Sequence, residues 1–167
     1  MKTNHFILII EDEAPVRDAV LRDVELFENH FPVEAVQSAE EAEQLIKAIA
    51  EEGGKIALIL CDHLLPVKNG VDFLIESMNY PITRYARKVL VTGQAGHQDT
   101  INAVNKAGLD FYVSKPWKTE DFQKVIREQL TTYVLHESGI DPIPFIGVLD
   151  GARIAEHIRN AGLASDY

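Results

Sequence analysis

The sequence predicts an α/β protein: a five-stranded, mostly parallel sheet covered by helices on both faces. Three observations carry this expectation. Five short apolar runs show little polar alternation, as strands do when both faces of their sheet are buried. Stretches of helical periodicity separate those runs, which is the alternation of a βα-repeated chain. The length of 167 residues is enough for one full core and a short appendage.

The first run, Phe6–Ile10, is followed by Val16, Val20, Val24 and Phe27, spaced by four, four and three on one helix face. Pro15 is tolerated near that helix's start, where no N–H is needed. Residues 32–37 form a short second strand. Ser38 then offers an N-cap, with Glu41 completing a capping-box pattern. Ala42, Leu45, Ile46 and Ile49 make the buried face of the second helix, which Gly53 and Gly54 end. Residues 55–61 are the third strand, and the helix after Gly70 carries Val71, Leu74 and Ile75. Residues 87–92 form the fourth strand, followed by a helix with Ile101 and Val104 inward, and residues 110–114 form the fifth. A long helix from about Thr119 to His136 has Phe122, Val125, Ile126, Leu130, Tyr133 and Val134 on one face.

Beyond Ser138 the pattern changes. Residues 139–151 hold two prolines and three glycines and read as a linker or arm. Asp150 can cap a short helix bearing Ile154, Ala155 and Ile158, with Gly162 ending it. The expected division is therefore a domain over residues 1–137 and an arm over 138–167, too small to build its own core. The arm can pack on the domain, join a dimer, or lead into a further domain.

Composition narrows the function. A net charge of −10 with scattered basic residues disfavours direct nucleic-acid binding. No apolar run approaches the length of a membrane span, and the N-terminal run is too short for a signal peptide. The single cysteine, Cys61, excludes an internal disulfide and suits a reducing cytoplasm, the expected location. It lies in an apolar strand and reads as a buried structural thiol.

In such sheets ligands bind at the carboxyl ends of the strands. The first strand ends on Glu11 and Asp12, the third on Asp62, the fourth on Thr92, and the fifth on Ser114, Lys115 and Pro116. Taken singly, Asp62 reads as a helix cap, Lys115 as a solvated loop residue and Thr92 as a strand former. Together they place three carboxylates, a hydroxyl and an ammonium on one edge. Few hard oxygen ligands suit Mg²⁺ that keeps several waters, and clustered carboxylates resist burial without a cation. Asp62 could then act as a nucleophile on phosphorus, with Lys115 and Thr92 meeting the phosphoryl oxygens.

With these residues in view, about residues 5–136 resemble the receiver domain of two-component response regulators. The resemblance rests on "LIIEDE", "LCDHLLPVKNG", "VLVTG" and "FYVSKPW", in order, with proline four and glycine eight residues after the aspartate. It implies a flavodoxin-like three-layer sandwich of strand order 2-1-3-4-5. It makes Asp62 the phosphoacceptor, Asp12 a direct Mg²⁺ ligand, and Glu11 a water-mediated one in place of the commoner aspartate. Leu64 would offer its backbone carbonyl to the metal. Thr92 and Lys115 match the switch hydroxyl and the family's lysine, and Tyr112 falls on the switch aromatic position.

The resemblance further implies a sensor histidine kinase or phosphotransfer protein as donor. The switched surface comprises the helix carrying Ile101 and Val104, the fifth strand and the last long helix. Its reader would be an output domain, a downstream protein or a second copy of the chain, and the domain would catalyse only its own phosphorylation and dephosphorylation. Leu64 and Gln94 stand where the family tunes loss of phosphate, and the apolar Leu64 predicts a long-lived phosphoryl state. His63 reads as a surface-loop histidine. "KAGLDFYVSKPW" resembles receivers fused to large output modules, so a longer regulator is expected. Two other readings compete. A phosphatase of the haloacid-dehalogenase type would carry a second acid where Leu64 stands, and an unphosphorylated pseudo-receiver would not need the complete set of site residues. A flavin or nucleotide site would need a glycine-bearing phosphate loop after the first strand, where three acids stand instead.

Overall fold

The structure, a computed structural model, describes residues 3–93, 105–106, 108–137 and 139–165. The strands are β1 His5–Ile10, β2 Val33–Val36, β3 Lys55–Cys61, β4 Arg87–Thr92 and β5 Phe111–Ser114. All neighbouring pairs are parallel, and the order is β2-β1-β3-β4-β5. This is the flavodoxin-like arrangement, with the order reversing between β1 and β3. The helices are α1 Ala14–Val24, α2 Ala39–Glu51, α3 Gly70–Ser77, α4 Thr119–His136 and α5 Gly151–Ser165. The helix expected around Ile101 and Val104 lies outside the described residues.

Two apolar layers explain the missing alternation. Side chains alternate across a strand, so Ile7, Ile9, Leu60, Val89 and Val91 face α1 and α4, while Leu8, Ile10, Ile59, Cys61 and Leu90 face α2 and α3. A register shift beside Phe6 and Ile7 makes Ala57 the extra residue of β3, and Ala57 and Leu58 both join the first layer.

Local chemistry sets the helix ends. Pro15 sits in the first turn of α1. The Ser38 side chain accepts from Glu41 N–H at 3.2 Å, while the Glu41 carboxylate accepts from Gln37 N–H at 2.9 Å. The expected box thus closes one residue earlier than its usual form. Gly53 takes φ +79° just after α2, a left-handed position that glycine adopts without strain. On α3, Phe73 is fully buried and Ile75 only half so, because a helix of two turns wedged against the sheet buries more than one stripe.

The segment after α4 joins the core. Phe145 packs on Phe31 with ring centroids 5.3 Å apart, and Leu149 and Ile154 are buried in the layer under α1 and α4. Asp150 caps α5 by accepting from Arg153 N–H at 3.1 Å. The helix runs through Gly162 to Ser165, past the expected stop. A glycine without a left-handed φ weakens a helix but need not end it. No helix among the described residues is long and apolar enough to cross a membrane.

Candidate functional site

The parallel ladder is carried one residue past three strand ends. Glu11 N–H donates to Val36 O at 3.0 Å, Asp62 N–H to Ile10 O at 3.0 Å, and Lys115 N–H to Thr92 O at 3.2 Å. Those bonds fix the backbone of the residues whose side chains must meet. The Lys115 ammonium lies 2.8 Å from Glu11 Oε2 and 3.4 Å from Asp62 Oδ1. Glu11, Asp12 and Asp62 each offer an oxygen within 4.8 Å of the others, with Glu11 and Asp62 buried and Asp12 exposed.

Glu11 is the costly member. It is 2% exposed, and its Oε1 accepts from Glu13 N–H at 3.2 Å. Burial, with the nearby Asp62 charge, pushes its carboxyl above the ordinary value, although Lys115 and the Glu13 N–H pull the other way. Lys115 shows the converse. Burial alone would lower it, but Glu11 and Asp62 outweigh that and hold the ammonium more firmly protonated. Beneath them the Cys61 thiol is wholly buried, and burial plus the two carboxylates raises its pKa strongly. It is an inert core thiol, as expected.

The donor set fits Mg²⁺. Its oxygens are hard, few and close together, one of its carboxylates is exposed, and Lys115 is its cationic neighbour. Among the described residues no backbone N–H donates to the Leu64 carbonyl. Leu64 itself is 52% exposed.

The β3–α3 loop that carries these groups is folded tightly. Leu65 and Gly70 N–H both donate to His63 O, at 3.2 and 2.8 Å. A Cβ on Gly70 would stand 1.8 Å from Asp62 O, so only glycine fits there. This folding corrects the expectation for His63, which is buried rather than on the surface.

Thr92 is buried at the end of β4, beside the cluster on the same sheet edge. Its carbonyl accepts from Tyr112 Oη at 3.2 Å as well as from Lys115 N–H. The half-buried Tyr112 is therefore joined to the same residue as the lysine. Gln94 lies outside the described residues.

Sequence reasoning missed Asp23, Trp117 and Thr119. Trp117 Nε1 donates to Asp23 Oδ2 at 2.7 Å and Thr119 Oγ1 to Asp23 Oδ1 at 3.2 Å, immediately beyond Lys115. No local pattern announces such a pairing, since the partners are 94 and 96 residues apart.

Comparison with known proteins identifies the family and the fold. A family model of the response regulator receiver domain matches residues 7–127. The hydrogenase transcriptional regulatory protein HoxA of Bradyrhizobium diazoefficiens is 29% identical over 142 residues, covering 81% of this chain and 27% of HoxA. The phosphate regulon transcriptional regulatory protein PhoB of Escherichia coli is 31% identical over 116 residues, covering 69% of this chain and 47% of PhoB. The chain thus matches about a quarter to a half of the length of these curated relatives. A CheY-like receiver domain protein from Methanospirillum hungatei superposes with a TM-score of 0.66 at 27% identity, over 78% of this chain and 97% of that one. The receiver domain of an HD domain-containing protein from Pseudomonas fluorescens superposes with a TM-score of 0.67 at 18% identity, over 80% of this chain and 91% of that one, which speaks for the fold alone.

Proposed function

Because this chain belongs to the response regulator receiver domain family, and is a phosphorylation-controlled signalling domain, we propose that Asp62 is its phosphoacceptor and a histidine kinase or phosphotransfer protein its donor. One observation carries the assignment to Asp62. It is the carboxylate that ends the central strand with Lys115 at 3.4 Å and the oxygens of Glu11 and Asp12 within 4.8 Å.

In the proposed reaction an Asp62 oxygen forms a bond to phosphorus as the P–N bond to the donor imidazole breaks. The electron pair of that bond leaves with the nitrogen. Asp12, Asp62, the Leu64 carbonyl and, through water, Glu11 would hold Mg²⁺, which when bound offsets the charge of the phosphoryl oxygens. Lys115 would leave Glu11 and pair with one phosphoryl oxygen, and the Thr92 hydroxyl would donate to another. The added charge of roughly −1.5 to −2 then draws on Thr92. Through the Tyr112 bond to the Thr92 carbonyl, that pull reaches β5 and the surface beside α4.

That surface is the proposed switch, read by an output domain, a downstream protein or a second copy of the chain. The named relatives are transcriptional regulators, and the net charge of −10 disfavours direct DNA contact by this chain. The proposed location is the cytoplasm. Leu64 removes the second acid that a haloacid-dehalogenase-type phosphatase would use, so the domain is read as acting only on its own phosphoryl group. Lacking a polar side chain to hold an attacking water, Leu64 also favours slow loss of phosphate.

The test is Mg²⁺-dependent binding of beryllofluoride, a phosphoryl mimic. Binding to the wild type that disappears in Asp62→Asn supports the assignment. Undiminished binding in Asp62→Asn rejects it.

A further inference from the structure

Beyond Lys115 the chain leaves the sheet, and few bonds hold it. The Lys115 N–H to Thr92 O bond is its last rung on β4. Pro116 and Lys118 are exposed, and α4 begins with no side-chain cap at Lys118. The anchoring comes instead from α1. Asp23 accepts from Trp117 Nε1 at 2.7 Å and Thr119 Oγ1 at 3.2 Å, and its carbonyl accepts from Gln123 Nε2 at 3.1 Å. The Trp117 ring also rests on Phe122, with centroids 5.0 Å apart.

The chemistry of Asp23 is unusual for a mere helix acid. It is 7% exposed, yet among the described residues it forms no ion pair. A carboxylate buried against neutral donors alone is expensive to desolvate. The indole N–H of Trp117 can only donate, so Asp23 Oδ2 must accept, whereas the Thr119 hydroxyl can donate or accept. An amide could keep both contacts, and removing them requires removing the side-chain oxygens. At the other end of α1, Arg17 Nη1 donates to Glu11 O at 2.9 Å. Helix α1 therefore grips both halves of the site: the acid strand end by Arg17 and the lysine loop by Asp23.

We propose that Asp23 is a positioning residue for phosphoryl transfer, holding the loop through Trp117 and Thr119 so that the Lys115 ammonium stays between Glu11 and Asp62. A lysine side chain is long and flexible, and its placement depends on how firmly its backbone is held on both sides. The sheet holds one side and Asp23 the other. This inference rests on the phosphoacceptor reading of Asp62.

The experiment compares wild type, Asp23→Ala, Lys115→Ala and the double variant as full chains. Beryllofluoride affinity and the rate of phosphorylation by a small acyl phosphate are measured in Mg²⁺. Asp23→Ala is expected to lower both about 5–20-fold, and to change them less than about twofold when Lys115 is already alanine. Equal losses in both backgrounds, or no loss from Asp23→Ala, would overturn the proposal. Trp117 is the sole tryptophan of the chain, so its fluorescence reports the loop directly. Quenching by acrylamide should rise in Asp23→Ala, and unchanged quenching counts against the proposal. Should Asp23→Ala not fold, Trp117→Phe keeps an aromatic ring beside Phe122 and removes the indole N–H together with part of the ring. It should reproduce a smaller loss that again depends on Lys115, and full retention would sink the idea. A wild type that binds no beryllofluoride would instead remove the phosphoacceptor reading itself, and this inference with it.

Discussion

The Lys115 ammonium sits closer to Glu11 Oε2, at 2.8 Å, than to Asp62 Oδ1, at 3.4 Å. The lysine thus pairs with both buried acids but leans more on Glu11 than on the proposed nucleophile. Burial first, then the Asp62 charge, still hold the Glu11 carboxyl above its ordinary 4.5. A group whose folded pKa is raised adds stability fully below the unfolded value, and that stability is lost as pH rises through the folded value. At neutral pH ionised Glu11 is therefore a net burden on the fold. Glu11→Gln, which keeps an oxygen for Lys115, is expected to raise unfolding free energy at pH 7 by about 1 kcal/mol. The gain should vanish below about pH 4, where the wild-type acid is protonated in both states. Urea titrations across pH measure this directly. Mg²⁺ affinity, read by calorimetry, should fall in the same variant about tenfold or more. A variant less stable than wild type at pH 7 would contradict the reading.

Gly70 approaches Asp62 through the backbone, and a Cβ there would meet Asp62 O at 1.8 Å. That overlap involves a carbonyl of the site itself, so relief requires moving the loop or the strand end. Gly70→Ala should destabilise the fold by about 3 kcal/mol. It should also weaken beryllofluoride binding beyond what partial unfolding explains. Gly53→Ala is the matching control, because its Cβ meets nothing within 4 Å and only the positive φ resists it. Its smaller loss of about 1 kcal/mol should leave the site untouched.

The sheet and its edge were readable in the sequence because both follow local rules. Strands lacking alternation mark a sheet covered on both faces, and Glu11, Asp12, Asp62, Thr92 and Lys115 stand where those strands stop. What escaped reading depends on distant partners. Lys88 looks like a charge at the mouth of a strand, yet it is buried against the turn before it. Gln129 and Thr131 break the apolar face of α4 because Arg87 Nε donates to Gln129 Oε1 and Asp150 N–H donates to Thr131 Oγ1. The expected face of α4 held only apolar residues, and those contacts come from β4 and the arm. His63 was misplaced for a similar reason, since its burial follows from how the loop closes on its carbonyl.

Val67 takes φ +67° and is 99% exposed. A β-branched residue has the least tolerance for that conformation, and this one has no packing to compensate. Val67→Gly should therefore stabilise the chain by about 0.5–1 kcal/mol, after the added freedom of glycine in the unfolded state is deducted. Thermal unfolding should show a rise of about 2–3 °C. If the variant is no more stable but loses phosphotransfer from a cognate kinase, Val67 serves a contact that outweighs its strain.

Lys88 is 2% exposed, and its ammonium donates to the carbonyls of Ala86 at 2.9 Å, Thr83 at 3.2 Å and Arg84 at 3.4 Å. Burial is the main reason its pKa falls to about 8 from 10.5, with Asp110 resisting the fall. A lysine with a depressed folded pKa contributes stability that is present above the unfolded value and lost as pH falls through the folded one. Between about pH 8 and 10.5 the unfolded chain holds this proton and the folded chain releases it. Wild type should accordingly gain stability relative to Lys88→Met as pH rises through that window, by at most about 3 kcal/mol. The difference, and not the absolute stability, is the quantity to follow, because other lysines and tyrosines titrate nearby and cancel between the two proteins. Denaturant unfolding at half-unit steps from pH 7 to 10.5 supplies it. A flat difference would mean that Lys88 keeps its proton throughout, held by the three carbonyls and by Asp110.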